Sequence, residues 1–256
     1  MILLKDIRLG IICFLLCFAC SEEEPTFPDN SLAAYIADNS NLGLSNQLIA
    51  CAAGGQRGFL EDPDFPVSVF FLPIEGAGEF TYFEAPISSN PDNFDAYQQI
   101  DLSVEPVFNG FLQRFLHPGG AEEKWSRVVY QTADSLHICN AIRIKLSNKP
   151  SEFAPELITI DLTSPTEPIF NWEEGRIQEN AIYFQVVSDS VGNLISGTYT
   201  FDRAFQFYRL DNVVLNINEV SPEPILTPNQ TYFFTLMGVS VDNWVNLIAE
   251  VEFETK

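Results

Sequence analysis

The sequence predicts an all-β protein: two tandem antiparallel β-sandwiches behind a signal peptide and a short tether. Three observations predict it. Short runs rich in Val, Ile, Phe, Tyr and Thr recur about every ten residues from residue 45 onward, bounded by Gly, Pro, Asn and Asp. No long stretch keeps a helical period, so the helical crossovers of a parallel sheet are missing. A chain of 256 residues with 46% hydrophobic residues and 22 Phe has length and apolar mass for two cores.

The elements follow in chain order. Lys5 and Arg8 give a basic start, and LGIICFLLCFA (residues 9–19) is an unbroken apolar run. As a helix this run spans about 16 Å, roughly half a bilayer core, so it is too short to cross. With small Ala19 before a cleavage point, residues 1–19 read as a secretory signal. The next residues are Cys20 and then Ser21-Glu22-Glu23-Glu24. LCFACSEEEP resembles the leader junction of Bacteroidota surface lipoproteins, in which signal peptidase II cuts before a cysteine that is then acylated. Ala19 suits the position before the cysteine, while Cys17 stands where that family usually has Leu. The resemblance implies lipidation at Cys20, with several acyl chains giving a stable anchor. It also implies that Ser21, Glu22, Glu23 and Glu24 form an export signal, so that the chain sits on the outer membrane facing the exterior.

Of the five cysteines, Cys13 and Cys17 leave with the signal and Cys20 takes lipid. Cys51 and Cys139 remain; they could form one disulfide closing a long loop or be two buried small hydrophobes. Residues 20–44 read as an acidic tether: SEEEPTFPDN is polar and proline-punctuated, and SLAAYIA (31–37) can form a short helix capped by Ser31.

The first domain is expected over 45–155. Its strands are PVSVFFLP (66–73), EFTYFEA (79–85), SRVVYQT (126–132) and AIRIKLS (141–147), with a hairpin turning near Asp134-Ser135. LSNKPSEFAPE and DLTSPTEP flank LITIDL and mark a boundary. The second domain is expected over 156–256, with strands AIYFQVV (181–187), VVLNINEV (213–220), TYFFTLMGV (231–239) and NLIAEVEFE (246–254). A faint internal repeat spans the boundary. VSVFFLPIEGAGEFTYFEA parallels PIFNWEEGRIQENAIYFQVV, each an apolar strand, an acidic Gly-containing turn and an aromatic-rich strand.

Trp172 in EPIFNWEEG, and Leu226-x-Pro228-x-x-x-Tyr232 in ILTPNQTYFF, resemble the core tryptophan and the E–F corner of fibronectin type III domains. That likeness implies that Trp172, Leu226, Pro228 and Tyr232 anchor the fold, with the tyrosine hydroxyl bonding back to the connecting backbone. The first domain resembles a more divergent Ig-like or fibronectin-like sandwich. Neither likeness specifies an activity.

A net charge of −22 repels phosphate backbones, which argues against nucleic acid as a partner. The two histidines, His117 in FLHPGG and His137 in DSLHICN, read as structural. Neither Cys51 nor Cys139 has a metal-spaced partner, no nucleophile elbow, zinc-protease or P-loop motif occurs, and no metal or cofactor is expected. EDPD (61–64) and NPDNFD (90–95) gather oxygen ligands in loops without the ordered spacing of a calcium loop, and read as turns. Asp134-Ser135-Leu136 and Asp189-Ser190-Val191 fit a loose pattern that resembles Bacteroidota O-glycosylation sites.

Among the aromatics, Tyr199, Phe201, Phe205 and Phe207 share one face if their strand is continuous, and Tyr208 or Trp244 is a candidate exposed platform. The expected function is a non-enzymatic, lipid-anchored surface module for binding, adhesion or assembly, with an unknown protein or glycan partner. The alternatives are a carbohydrate-binding accessory of glycan uptake and, less favoured, a glycoside-degrading enzyme.

Overall fold

The computed structural model describes residues 26–55 and 62–256. Helix α1 (Leu32–Asp38) begins where Ser31 accepts the Ala34 N–H on its hydroxyl at 3.1 Å. Its apolar positions Leu32, Tyr35 and Ile36 fall on one helical face and pack on the outer side of the first sandwich. Ser31 also bridges to Gln98. Residues 31–44 are therefore built into the first domain and are not part of a free tether.

The first domain contains β1 (Gly43–Leu48), β2 (Ala50–Gly54), β3 (Val67–Phe71), β4 (Gly78–Pro86), β5 (Gln98–Ile100), β6 (Val104–Val107), β7 (Leu112–His117), β8 (Lys124–Gln131), β9 (Ser135–Cys139) and β10 (Ile142–Ile144). One sheet has the order β1-β9-β8-β4-β5, with β10 continuing along β8, and the other has β2-β3-β7-β6. The second domain contains β11 (Glu152–Phe153), β12 (Ile158–Asp161), β13 (Ile169–Trp172), β14 (Asn180–Asp189), β15 (Leu194–Thr200), β16 (Ala204–Gln206), β17 (Val213–Asn216), β18 (Thr231–Ser240) and β19 (Val245–Glu254). Its sheets run β11-β19-β18-β14-β15-β17 and β12-β13-β16. The chain is all-β in two sandwiches, as the strand spacing predicts. Because β11 already pairs with β19, the second domain begins before residue 156.

The two sandwiches repeat one topology. In each, the chain passes from a central strand of the smaller sheet (β3, β13) into the larger sheet (β4, β14). These are the segments whose sequences run in parallel. In each, a short leading strand also lies parallel to a late strand at the sheet edge: β1 on β9, and β11 on β19.

The layers explain why so many strands read as unbroken apolar runs. Tyr82, Val128 and Tyr130 meet Val67, Val69 and Phe71 inside the first sandwich. Phe170, Trp172 and Phe205 meet Tyr183, Phe234 and Leu247 inside the second. A third core lies between the domains, where Cys51, Ala53, Phe70 and Leu112 pack on Phe184, Val186, Met237 and Ile248. The facing sheets are thus buried on both sides, and β3 has no exposed residue. Burial of each large side chain here contributes about 1.5–3 kcal/mol.

The turn between β18 and β19 pins the domains together. Trp244 of this turn is fully buried in the core of the first domain, and its indole N–H donates to the Lys149 carbonyl at 2.8 Å. A Cβ on Gly54 would come within 2.7 Å of the indole, so that strand position accepts only glycine without rearrangement. The Ala52 and Arg143 N–H groups donate to the carbonyls of Asn243 (3.0 Å) and Asp242 (2.9 Å). Buried Lys145 pairs with Asp242 at 2.6 Å. The expected exposed platform at Trp244 is corrected: the VDNWVN turn is the joint of the molecule.

Candidate functional site

Cys20, Ser21, Glu22, Glu23 and Glu24 lie outside the described residues, as do the signal segment and Glu61 of EDPD. Trp172 and Leu226 are buried in the second core, and Tyr232 OH accepts the Thr227 N–H at 2.9 Å across the corner that contains Pro228.

Cys51 and Cys139 are free thiols, which corrects the disulfide alternative. Cys51 faces the layer between the domains, whereas Cys139 faces the first sandwich's own core and accepts the Val128 N–H on sulfur at 3.1 Å. Burial pushes the Cys51 thiol up to about 12 and Cys139 to about 11, so neither is a ready nucleophile.

The oxygen-rich loops act as turns. Asp62 Oδ1 accepts the N–H groups of Asp64 and Phe65, and Asn90 and Asn93 accept those of Asp92 and Asp95. Asp92 faces a cation already present in the fold. Buried Arg127 pairs with it at 3.0 Å, donates to the carbonyls of Cys139 and Pro91, and lies over the Phe94 ring. Ser135 and Ser190 open a strand and a tight turn respectively. Among the described residues, no group of three or more His, Cys, Asp or Glu side chains could hold a metal ion.

The aromatic face predicted for residues 199–207 is broken. β15 ends at Thr200 and β16 starts at Ala204 in the opposite sheet. Tyr199 therefore stacks on Phe184 towards the first domain, Phe205 and Phe207 fill the second core, and Phe201 is 66% exposed at the crossing. Tyr208 is half-buried, with its hydroxyl accepting from Asn216 at 2.7 Å. Phe201 has no exposed stacking partner among the described residues, so the structure supplies no aromatic platform for a sugar there.

One polar cluster was not anticipated. Glu84 on β4 shares the inward face of Tyr82, two residues away. Its Oε1 lies 2.6 Å from His117 Nε2 at the end of β7 and accepts the Tyr82 hydroxyl at 3.1 Å; its Oε2 accepts Lys124 Nζ at 2.7 Å. The Gly119 N–H donates to His117 Nδ1 at 2.9 Å, so the network assigns the ring proton to Nε2, donating to Glu84. Burial pushes the Glu84 carboxyl up, but the hydrogen bonds from His117 and Lys124 outweigh it and hold it down at about 2.

A recess of about 340 Å³ lies beside the cluster, bordered by Gln98, Glu122, Glu123 and Lys124. Both ring nitrogens of His117 and both carboxylate oxygens are occupied by neighbours. The cluster is thus a latch between the two sheets, and its Glu84 and half-exposed Lys124 border the recess. Its sequence signal was only a glutamate breaking the run FTYFEA and a histidine ending FLH.

No protein-family model matches the chain, and no curated protein matches it. Among solved structures, the chicken CNTN1 FN1-FN3 domains are 10% identical, with a TM-score of 0.30 over 84% of this chain and 68% of that one. The glycoside hydrolase domain of Endo-D from Streptococcus pneumoniae R6 is 10% identical, with a TM-score of 0.31 over 81% and 33%. A tetra-tandem repeat in the extending region of a large adhesion protein is 8% identical, with a TM-score of 0.25 over 82% and 50%. The chain spans half or less of the latter two. Likenesses this distant carry no argument about activity; the fold assignment stands on the sheet order and cores of this chain.

Proposed function

We propose that the chain is a lipid-anchored surface protein whose two sandwiches form one non-catalytic binding module. The observation that carries this reading is the joint at residues 240–244, which ties both sandwiches into a single body. Such a body presents a surface without needing moving parts. Buried Glu84 and His117, with the exposed Lys124, tie the two sheets of the first sandwich together. The anchor at Cys20 and the acidic run after it supply display on the outer membrane.

Two measurements test the proposal. Cys20→Ala should move the protein from the membrane to the soluble fraction, and continued membrane fractionation would overturn the anchor. The purified Cys20→Ser protein should bind isolated cell envelopes saturably and be displaced by excess unlabelled protein. Non-saturable binding would overturn the module.

A further inference from the structure

A crevice of about 360 Å³ opens between the domains, away from the Glu84 latch. Its roof is the β6–β7 turn, where Phe108 and Asn109 both adopt the left-handed backbone region (φ 49° and 52°). That conformation costs a bulky residue about 1–3 kcal/mol and persists only where surroundings hold it. Here Asn109 Nδ2 donates to Val191 O (3.2 Å) and Asn193 Oδ1 (2.7 Å) of the other domain, while Phe108 packs against the core between them. The floor carries Phe233, Ser188 and Glu250.

Two polar side chains of this floor border the crevice. Ser188 is only 3% exposed as a residue and lines it. Glu250 is half-buried and accepts from the Thr235 hydroxyl at 3.5 Å; no cation pairs with it among the described residues. Burial raises its pKa, the mark of a carboxylate short of compensating charge. Among the described residues no Lys or Arg lines the crevice, and the net charge of −22 draws cations towards it. The volume falls in the range of about 300–1,000 Å³ that small-ligand sites occupy, often at domain interfaces.

We propose that this crevice binds an alkylammonium or guanidinium group carried on an apolar stem. The cation pairs with Glu250, and an N–H of its head donates to the Ser188 hydroxyl. The stem lies along Phe233, whose ring face also favours a cation. The head group comes either from a free amine or from a lysine or arginine side chain of a partner polypeptide. The proposal names the ligand chemistry of the binding module and does not depend on the lipid anchor.

Calorimetric titration of the full chain in detergent with hexylamine, 1-hexanol and the tripeptide Gly-Arg-Gly tests it. Hexylamine should bind at least tenfold more tightly than hexanol, and Glu250→Gln should remove that preference. Equal affinities for the two in the wild type, or an unchanged preference in E250Q, would overturn the proposal. Should E250Q not fold, wild-type NMR replaces it: nuclear Overhauser contacts from the hexylamine methylenes to the Phe233 ring support the site, and their absence at saturation sinks it. Tighter binding of Gly-Arg-Gly than of hexylamine supports a polypeptide source, and equal binding supports a free amine. Loss of amine binding with envelope binding intact would reject this site and leave the module reading standing.

Discussion

Replacing Trp244 with alanine perturbs one domain through a residue that belongs to the other. The indole is fully buried in the first sandwich although it sits on the last hairpin of the second. Truncating a buried Trp or Phe costs about 3–5 kcal/mol, and losing the bond to the Lys149 carbonyl adds about 1 kcal/mol. Against a total stability of about 5–15 kcal/mol, this is a large fraction. At about 2–4 °C per kcal/mol for a chain of this size, the melting temperature should fall by about 8–24 °C. The distribution of the loss is more telling than its size. In the wild type, fluorescence from Trp125 in the first domain and Trp172 in the second should report one shared urea transition. In W244A the Trp125 signal should change first, because the cavity opens in its domain while the core around Trp172 is untouched. A loss below about 1 kcal/mol, or wild-type transitions that already separate, would refute the argument that this turn joins the sandwiches.

Three further outcomes are expected. Glu84 has its carboxyl held at about 2 against an ordinary 4.5, equivalent to about 3 kcal/mol of stability; this is fully present above pH 4.5 and is lost as the pH falls from there to about 2. Urea midpoints across that range should drop in the wild type and stay flatter in Glu84→Gln, which starts from lower stability. The thiols of Cys51 and Cys139 should resist a disulfide-exchange reagent in the folded Cys20→Ser protein trimmed of its signal, and both should react on unfolding; a missing pair of thiols would signal a disulfide. Tyr232→Phe removes the acceptor for the Thr227 N–H and should cost about 1–3 kcal/mol by urea titration, whereas an unchanged midpoint would mean that the corner is not held by that bond.

Local chemistry made much of the fold legible. Ser31 reads as a helix cap because its hydroxyl competes for the first free N–H groups, and Trp172 and Tyr232 read as anchors because they sit at fixed places relative to strands and a proline-bearing corner. What depended on partners distant in sequence was not legible. Trp244 lies in a polar turn, and only the arrival of Gly54 and Ala52 from the opposite domain makes it a core residue. Tyr199 and Phe201 appeared to share a face with Phe205 because parity assumes an unbroken strand, and the chain changes sheets between them. Glu84 and His117 are 33 residues apart on strands of opposing sheets, a pairing that no spacing rule encodes. The proposed anchor at Cys20 is read from the sequence, outside the described residues.

The leading strand β11 sets how the second sandwich carries load. It runs parallel to β19, the last strand of that sandwich, whereas the first sandwich is left through β10, which pairs antiparallel with β8. Pulling Glu152 and Glu254 apart therefore slides the β11–β19 pair lengthwise, so that its hydrogen bonds are strained together. An antiparallel pair pulled from its adjacent ends would peel one bond at a time. Force applied across the second sandwich therefore meets a shear-loaded clasp before its core is asked to open.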